Sequence, residues 1–144
     1  MREFRGKRED NGEWAVGYYL KICDKHKIYV PFTEEEKKFF KHSKYEKLGG
    51  RYKTVIPETV GQFTGEYDKN KKPICEGDIL EYKKEKFVVV FQEGAFCHYY
   101  LRDYAMKKGS PAAFNDVDYY LDTDESEIIG NIHDNPELIE KERI

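Results

Sequence analysis

The sequence predicts a mainly β protein with minor α content. The expected form is a small, partly open, SH3-like barrel or meander beside an N-terminal β-hairpin and helix. Three observations carry this reading. Residues 60–82 (VGQFTGEYDKNKKPICEGDILEY) set two strand-like apolar runs around turn-forming residues. Residues 87–91 (FVVVF) are apolar at every position, so they should form an innermost strand buried on both faces. Turn signals then recur along the chain at Asn11-Gly12, Gly77-Asp78 and Glu93-Gly94.

Taken in order, Asp10-Asn11-Gly12 closes a hairpin between the first strand and residues 14–20 (WAVGYYL). Residues 28–30 return to β propensity, and Pro31 ends that strand or places it at an edge. Thr33 followed three residues later by Glu36 reads as a capping box, with acidic residues in the first turn. The helix is expected over 34–44 with a narrow stripe at Phe39 and Phe40, and Gly49-Gly50 stops it. Residues 51–56 and 59–63 are strand candidates. Asp68 and Asn70 favour a tight reversal because both side chains can bond nearby backbone. Gly77 and Asp78 make the second corner, and residues 79–82 leave it as a strand. Residues 95–101 pair back on 87–91. Residues 103–116 read as a long loop, 119–121 as a weak strand and 127–132 as the last strand. Asn135-Pro136 then starts a short helix, with Asn135 as cap and Pro136 at the first helical position. Two subdomains are expected, residues 1–51 and 52–144. Tyr18-Tyr19-Leu20-Lys21 echoes Tyr99-Tyr100-Leu101-Arg102 once, which is coincidence rather than a repeat.

Three segments carry a family resemblance: FRGKREDNGEWAVGYYLK at residues 4–21, TGEYDKNKKPICEGDILEY at 64–82, and EIIGNIHDNPELI at 127–139. In that order they resemble the YopX family, small proteins of bacteriophages and prophages. The resemblance implies fold and origin rather than an activity. Two positions depart from its pattern. Lys71 follows Asn70 where Asn-Gly is usual, so the turn is expected to lengthen with Asn70 alone in the left-handed region. Cys75 stands where an aromatic is common.

Composition bounds the function classes. At 144 residues the chain is 39% hydrophobic, and its twelve Tyr and nine Phe must supply much of the core. Charged residues make up 37% with a net charge of -3, which gives no global cationic field. The three cysteines show no paired spacing. That points to a reducing cytoplasm, which the resemblance implies is that of a bacterial host, and no apolar run suggests a leader or a membrane span.

No catalytic set, metal site or cofactor is expected. Glycines fall as turns, without a phosphate-binding pattern. Cys97 and His98 are strand neighbours and point to opposite faces. Cys75 or Cys97 with His98 or His133 could make a thiol–imidazole pair, but cysteines in β runs more often behave as small apolar residues. Glu76 and Asp78 could pair as carboxylates, yet an Asp after Gly more often sets the bend. The leading expectation is a non-enzymatic module that binds itself and an unknown host or phage protein. In that oligomer the N-terminal strands or the Thr33 helix would cross between subunits. The alternative is single-stranded nucleic acid on the barrel, with Tyr82, Lys83, Lys84 and Lys86 on one patch. Tyr99, Tyr100 and Arg102 would form another, near Lys107 and Lys108.

Overall fold

The computed structural model describes residues 3–106 and 121–143. The strands are β1 (Phe4–Lys7), β2 (Trp14–Ile22), β3 (Lys25–Pro31), β4 (Gly50–Thr54), β5 (Gly61–Tyr67), β6 (Pro73–Cys75), β7 (Asp78–Tyr82), β8 (Glu85–Gln92), β9 (Ala95–Tyr100) and β10 (Glu127–Asn131). The helices are α1 (Glu34–Phe39), α2 (Leu101–Met106) and α3 (Pro136–Glu142). The protein is mainly β, as the alternating and doubly apolar runs predict, and among the described residues every strand pair is antiparallel. Among the described residues, no helix is long and apolar enough to cross a membrane.

The chain divides into two compact units after Gln62, not at residue 51. The reason is β4, which completes the N-terminal sheet by pairing with β3, Tyr29 opposite Tyr52. Just after it, Val55 packs with Ala15 and Ile28 in the N-terminal core. In this unit β2 pairs with β1 through its first half and with β3 through its second, and Gly17 lies where the partner changes. A Cβ at Gly17 would strike the carbonyl oxygen of Tyr29, so only glycine lets the two strands approach. Residues 57–59 form a 3₁₀ turn that takes in Thr59, the first residue of the expected 59–63 strand, because Thr59 accepts the Lys7 amide and donates back to the Ile56 carbonyl.

Helix α1 has the predicted capping box: the Thr33 hydroxyl accepts from the Glu36 amide and the Glu36 carboxylate accepts from the Thr33 amide, each at 3.1 Å. It ends at Phe39 instead of near residue 44. The Ser43 hydroxyl and amide both donate to the Phe40 carbonyl, and His42 takes a positive φ, so the helical ladder cannot continue.

In the C-terminal unit the later part of β5 pairs with β6, and four strands form a sheet in the order β10-β7-β8-β9. The predicted innermost strand is β8, flanked on both edges. One face of this sheet packs Leu80, Tyr82, Phe87 and Val89 with Ile74 and Leu121. The other packs Ile79, Val88 and Tyr99 against Leu101, with Tyr104 from α2 and Leu138 and Ile139 from α3. Residues 101–106 are therefore helix, where strand and then loop were expected. Their Leu101 and Ala105 are buried at the α2 repeat of four. Residues 107–120 lie outside the described residues, and with them most of the expected loop and the strand at 119–121. Leu121 itself is buried but not in a strand.

Asp68 fixes the central turn. Its carboxylate is 2% exposed and accepts from the amides of Asn70 and Lys72 at 2.9 Å and from Ile128 at 3.1 Å. The last bond ties the turn to β10, sixty residues on, beside a second link from the Lys69 amide to the Ser126 carbonyl at 2.8 Å. Burial by itself would raise the pKa of this carboxyl. The amides of Ile128, Lys72 and Asn70, helped by the Lys72 charge, more than offset it and hold the group below the ordinary carboxylate range. The left-handed residue in this turn is Lys71, φ 63°, not Asn70. Asp68 claims the Asn70 amide, which leaves the reversal to the next residue. At the second corner the buried Asp78 accepts from the Cys75 amide at 2.8 Å, and Gly77 bonds Val89 and Ile132. Near the end Asn135 precedes α3 but does not cap it with its side chain. Its Oδ1 accepts from the Asn131 amide at 3.0 Å instead.

Asp68→Ala strands three amide donors and should cost about 3 kcal/mol in urea unfolding. Because the folded-state pKa of Asp68 lies below its unfolded value, its contribution is complete above about pH 5 and is lost as the pH falls below about 4. The wild-type stability curve should thus fall more steeply there than that of Asp68→Asn. Lys83 and Lys84, at φ 49° and 66°, turn β7 into β8 in the geometry that favours Asn-Gly. Lys83→Asn with Lys84→Gly should stabilise the protein by about 1 kcal/mol.

Candidate functional site

The residues proposed from sequence as a base-stacking surface do not form one. Tyr82 and Tyr99 are each 6% exposed and lie in the two cores on opposite faces of the C-terminal sheet. The cause is the pleat: Tyr82 shares the face of Leu80 and Phe87, and Tyr99 sits opposite Val88. The Tyr99 hydroxyl is bonded to the Gln92 side chain. Tyr100 packs its ring 4.9 Å from Phe87. Lys83 and Lys84 serve the hairpin turn, with the Lys83 ammonium 5.2 Å from the Tyr82 ring. Lys84, Lys86, Tyr100 and Arg102 do line one small hollow of about 160 Å³, but Glu85 and Glu142 share it. Lys107 and Lys108 lie outside the described residues. Asp68, Asn70, Gly77 and Asp78 sit in the turns described above.

The thiol and imidazole groups stay apart by the same pleat. Cys97 packs beside Tyr99 on one face, while His98 pairs with Val89 and shares the other. Burial pushes the His98 ring toward its neutral form, against the opposing pull of Glu66. Cys75 is buried, and Cys23 is exposed in the turn between β2 and β3.

Two exposed surfaces lie in the N-terminal unit instead. One is the aromatic corner around α1. Phe32 and Phe40 stack at 4.7 Å, and the Arg51 guanidinium lies over both, at 5.4 and 5.2 Å. Arg51 is held by Glu36 at 2.8 Å. The Thr33 amide first, and then Arg51, keep the Glu36 carboxyl below its ordinary range. Phe39 stands edge-on to Phe40 and is 81% exposed. Beside it runs a groove of about 330 Å³ lined by Phe32 and Phe40 together with Glu34, Glu46, Lys37 and Lys41.

The second surface is the face of the N-terminal sheet turned away from its core. Ala15, Tyr19, Ile28 and Val30 point inward. Alternation therefore puts Val16, Tyr18, Ile22 and Tyr52 outward, and all four are exposed. Tyr18 pairs with Tyr29 and Tyr29 with Tyr52, so three rings form a row across β2, β3 and β4. Gly50 is what lets the middle ring lie down, since a Cβ there would come within 2.7 Å of it. Sequence reasoning missed this row because it depends on the register between strands 23 residues apart, from Tyr29 to Tyr52. The Tyr-rich alternation in residues 14–20 was its one local trace.

The fold thus defines a mainly β protein of two compact units, the first of which carries exposed rings at Tyr18, Phe39, Tyr45 and Tyr52. The YopX protein family profile matches residues 3–140, nearly the whole chain, and the chain belongs to that family. The three segments that carried the resemblance all fall inside this span. No curated protein matches the chain. Among solved structures it is similar to protein EF1440 from Enterococcus faecalis, at 18% identity and a TM-score of 0.49, over 96% of this chain and 98% of that one.

The burial of Tyr82 gives a direct check. Tyr82→Ala should lower stability by about 3–5 kcal/mol in chemical unfolding, as for a core aromatic. The exposed Lys84→Ala should change it by less than about 0.5 kcal/mol.

Proposed function

We propose that this chain is a non-enzymatic interaction module of bacteriophage or prophage origin. It acts in the cytoplasm of a bacterial host and pairs with a second copy of itself through the α1 corner. The phage origin rests on the three resembling segments. The observation that carries the pairing is Phe39, a large apolar ring 81% exposed next to a partly apolar groove. A knob and a hole on one surface suit a two-fold contact, in which each copy's Phe39 enters the other's groove. The groove lining carries both signs of charge, Glu34 and Glu46 against Lys37, Lys38 and Lys41, so two copies can meet without net repulsion. Tyr45, also exposed, stands edge-on to Phe40 at 5.8 Å and extends the apolar area beside the knob. A single anchoring aromatic of this kind dominates many interfaces. An unidentified host or phage protein would compete for the same knob.

Light scattering after size exclusion tests the pairing. The wild-type protein should run as a dimer, and Phe39→Ser should weaken association by at least about tenfold with unchanged circular dichroism. A wild-type protein that stays monomeric at high concentration would overturn the reading.

A further inference from the structure

We infer that the outward face of the N-terminal sheet binds single-stranded nucleic acid, with the Tyr18–Tyr29–Tyr52 row as its stacking platform. The face shares no residue with the α1 corner, so this inference stands apart from the pairing. Tyr18 is 36% and Tyr52 51% exposed, which leaves ring surface open to a ligand. Tyr29 is anchored: its hydroxyl donates to the Leu48 carbonyl at 2.6 Å and its ring lies 5.1 Å from Tyr52. Rings held in place lose little freedom when a base stacks on them.

Cations frame the row on both sides. One step along the strands Leu20, Lys27 and Thr54 are in register, and the next step pairs Ile22 with Lys25. In the other direction Val16 pairs with Arg5 and Trp14 with Lys7. The Arg5 guanidinium lies 4.6 Å from the Trp14 ring. No Asp or Glu occupies these outward register positions. Successive rows are about 7 Å apart, two residues of a strand. A groove of about 590 Å³ continues from Tyr52 past Lys25, Lys27 and Lys53. Its acidic members, Glu9 and Asp10, lie toward the β1–β2 turn, where Asp10 pairs with Arg8 at 2.7 Å.

Charge selects the class of partner. Residues 1–62 hold fourteen Lys and Arg against ten Asp and Glu, while residues 63–144 hold eleven against eighteen. The chain's net charge of -3 therefore hides a cationic first unit. Rings in a row favour unpaired bases, because a duplex keeps its base faces stacked on one another.

Fluorescence anisotropy of labelled oligothymidylate with the full chain tests this. The emission of Trp14, the one tryptophan, serves as a second signal. Binding should weaken steeply as salt rises and should quench Trp14. Tyr18→Ala with Tyr52→Ala should weaken it at least about tenfold. Lys25→Ala with Lys27→Ala should make the logarithmic salt slope shallower by roughly one. If the alanine pair fails to fold, Tyr18→Leu with Tyr52→Leu keeps the apolar bulk and removes the rings. Phe39→Ser should bind like wild type, which separates this failure from failure of the pairing. Three results would overturn the inference: no binding at low salt, duplex DNA or polyglutamate bound as tightly as the single strand, or unchanged affinity in a folded tyrosine variant.

Discussion

The C-terminal unit depends on one buried carboxylate. Asp68 sits where the chain reverses between β5 and β6, and there it accepts from three backbone amides. Two of those donors shape the turn, and the third belongs to β10. A charged acceptor with three donors is stabilised even at 2% exposure, since each bond favours the ionised form that burial opposes. The consequence is topological. β10 comes sixty residues later, yet it must run beside β7 for Ile128 to reach Asp68. With β10 fixed, Ile129, Ile132 and α3 fall on the face opposite Leu80 and Phe87, and the sheet is covered on both sides.

That double cover explains why so many aromatic residues are spent on structure. A sheet buried on both faces has no outward positions at its centre, so Tyr82, Phe87 and Tyr99 cannot serve a ligand. The N-terminal sheet differs because one of its faces is left outward, and its rings and lysines remain available there. The two units divide the work by the number of faces they bury. Their charges divide in the same way, with the cationic excess on the unit that keeps an open face.

Most elements were legible because their signals are local. The capping box at Thr33, the doubly apolar β8 run and Pro136 at the start of α3 each act within one turn or one strand. Lys83-Lys84 and Cys23-Asp24 carry no strong turn signal, yet both pairs take positive φ. The strands on either side are held in register by buried or cross-strand partners, and that register sets the turn regardless of preference. Residues 101–106 read as strand and loop, but packing of Leu101 against the sheet and burial of Ala105 on the same side made them a helix.

By itself the sequence determined a mainly β chain, its two central corners, the first helix and the family to which it belongs. Periodicity and turn chemistry operate over a few residues and need no knowledge of the rest. Tertiary structure alone decided where the units divide, which rings were consumed by the cores and which were left in a row. Those outcomes depend on strand register and on which face a distant element covers, and no window of sequence contains either. The Tyr18–Tyr29–Tyr52 row exists only because two strand pairings align it.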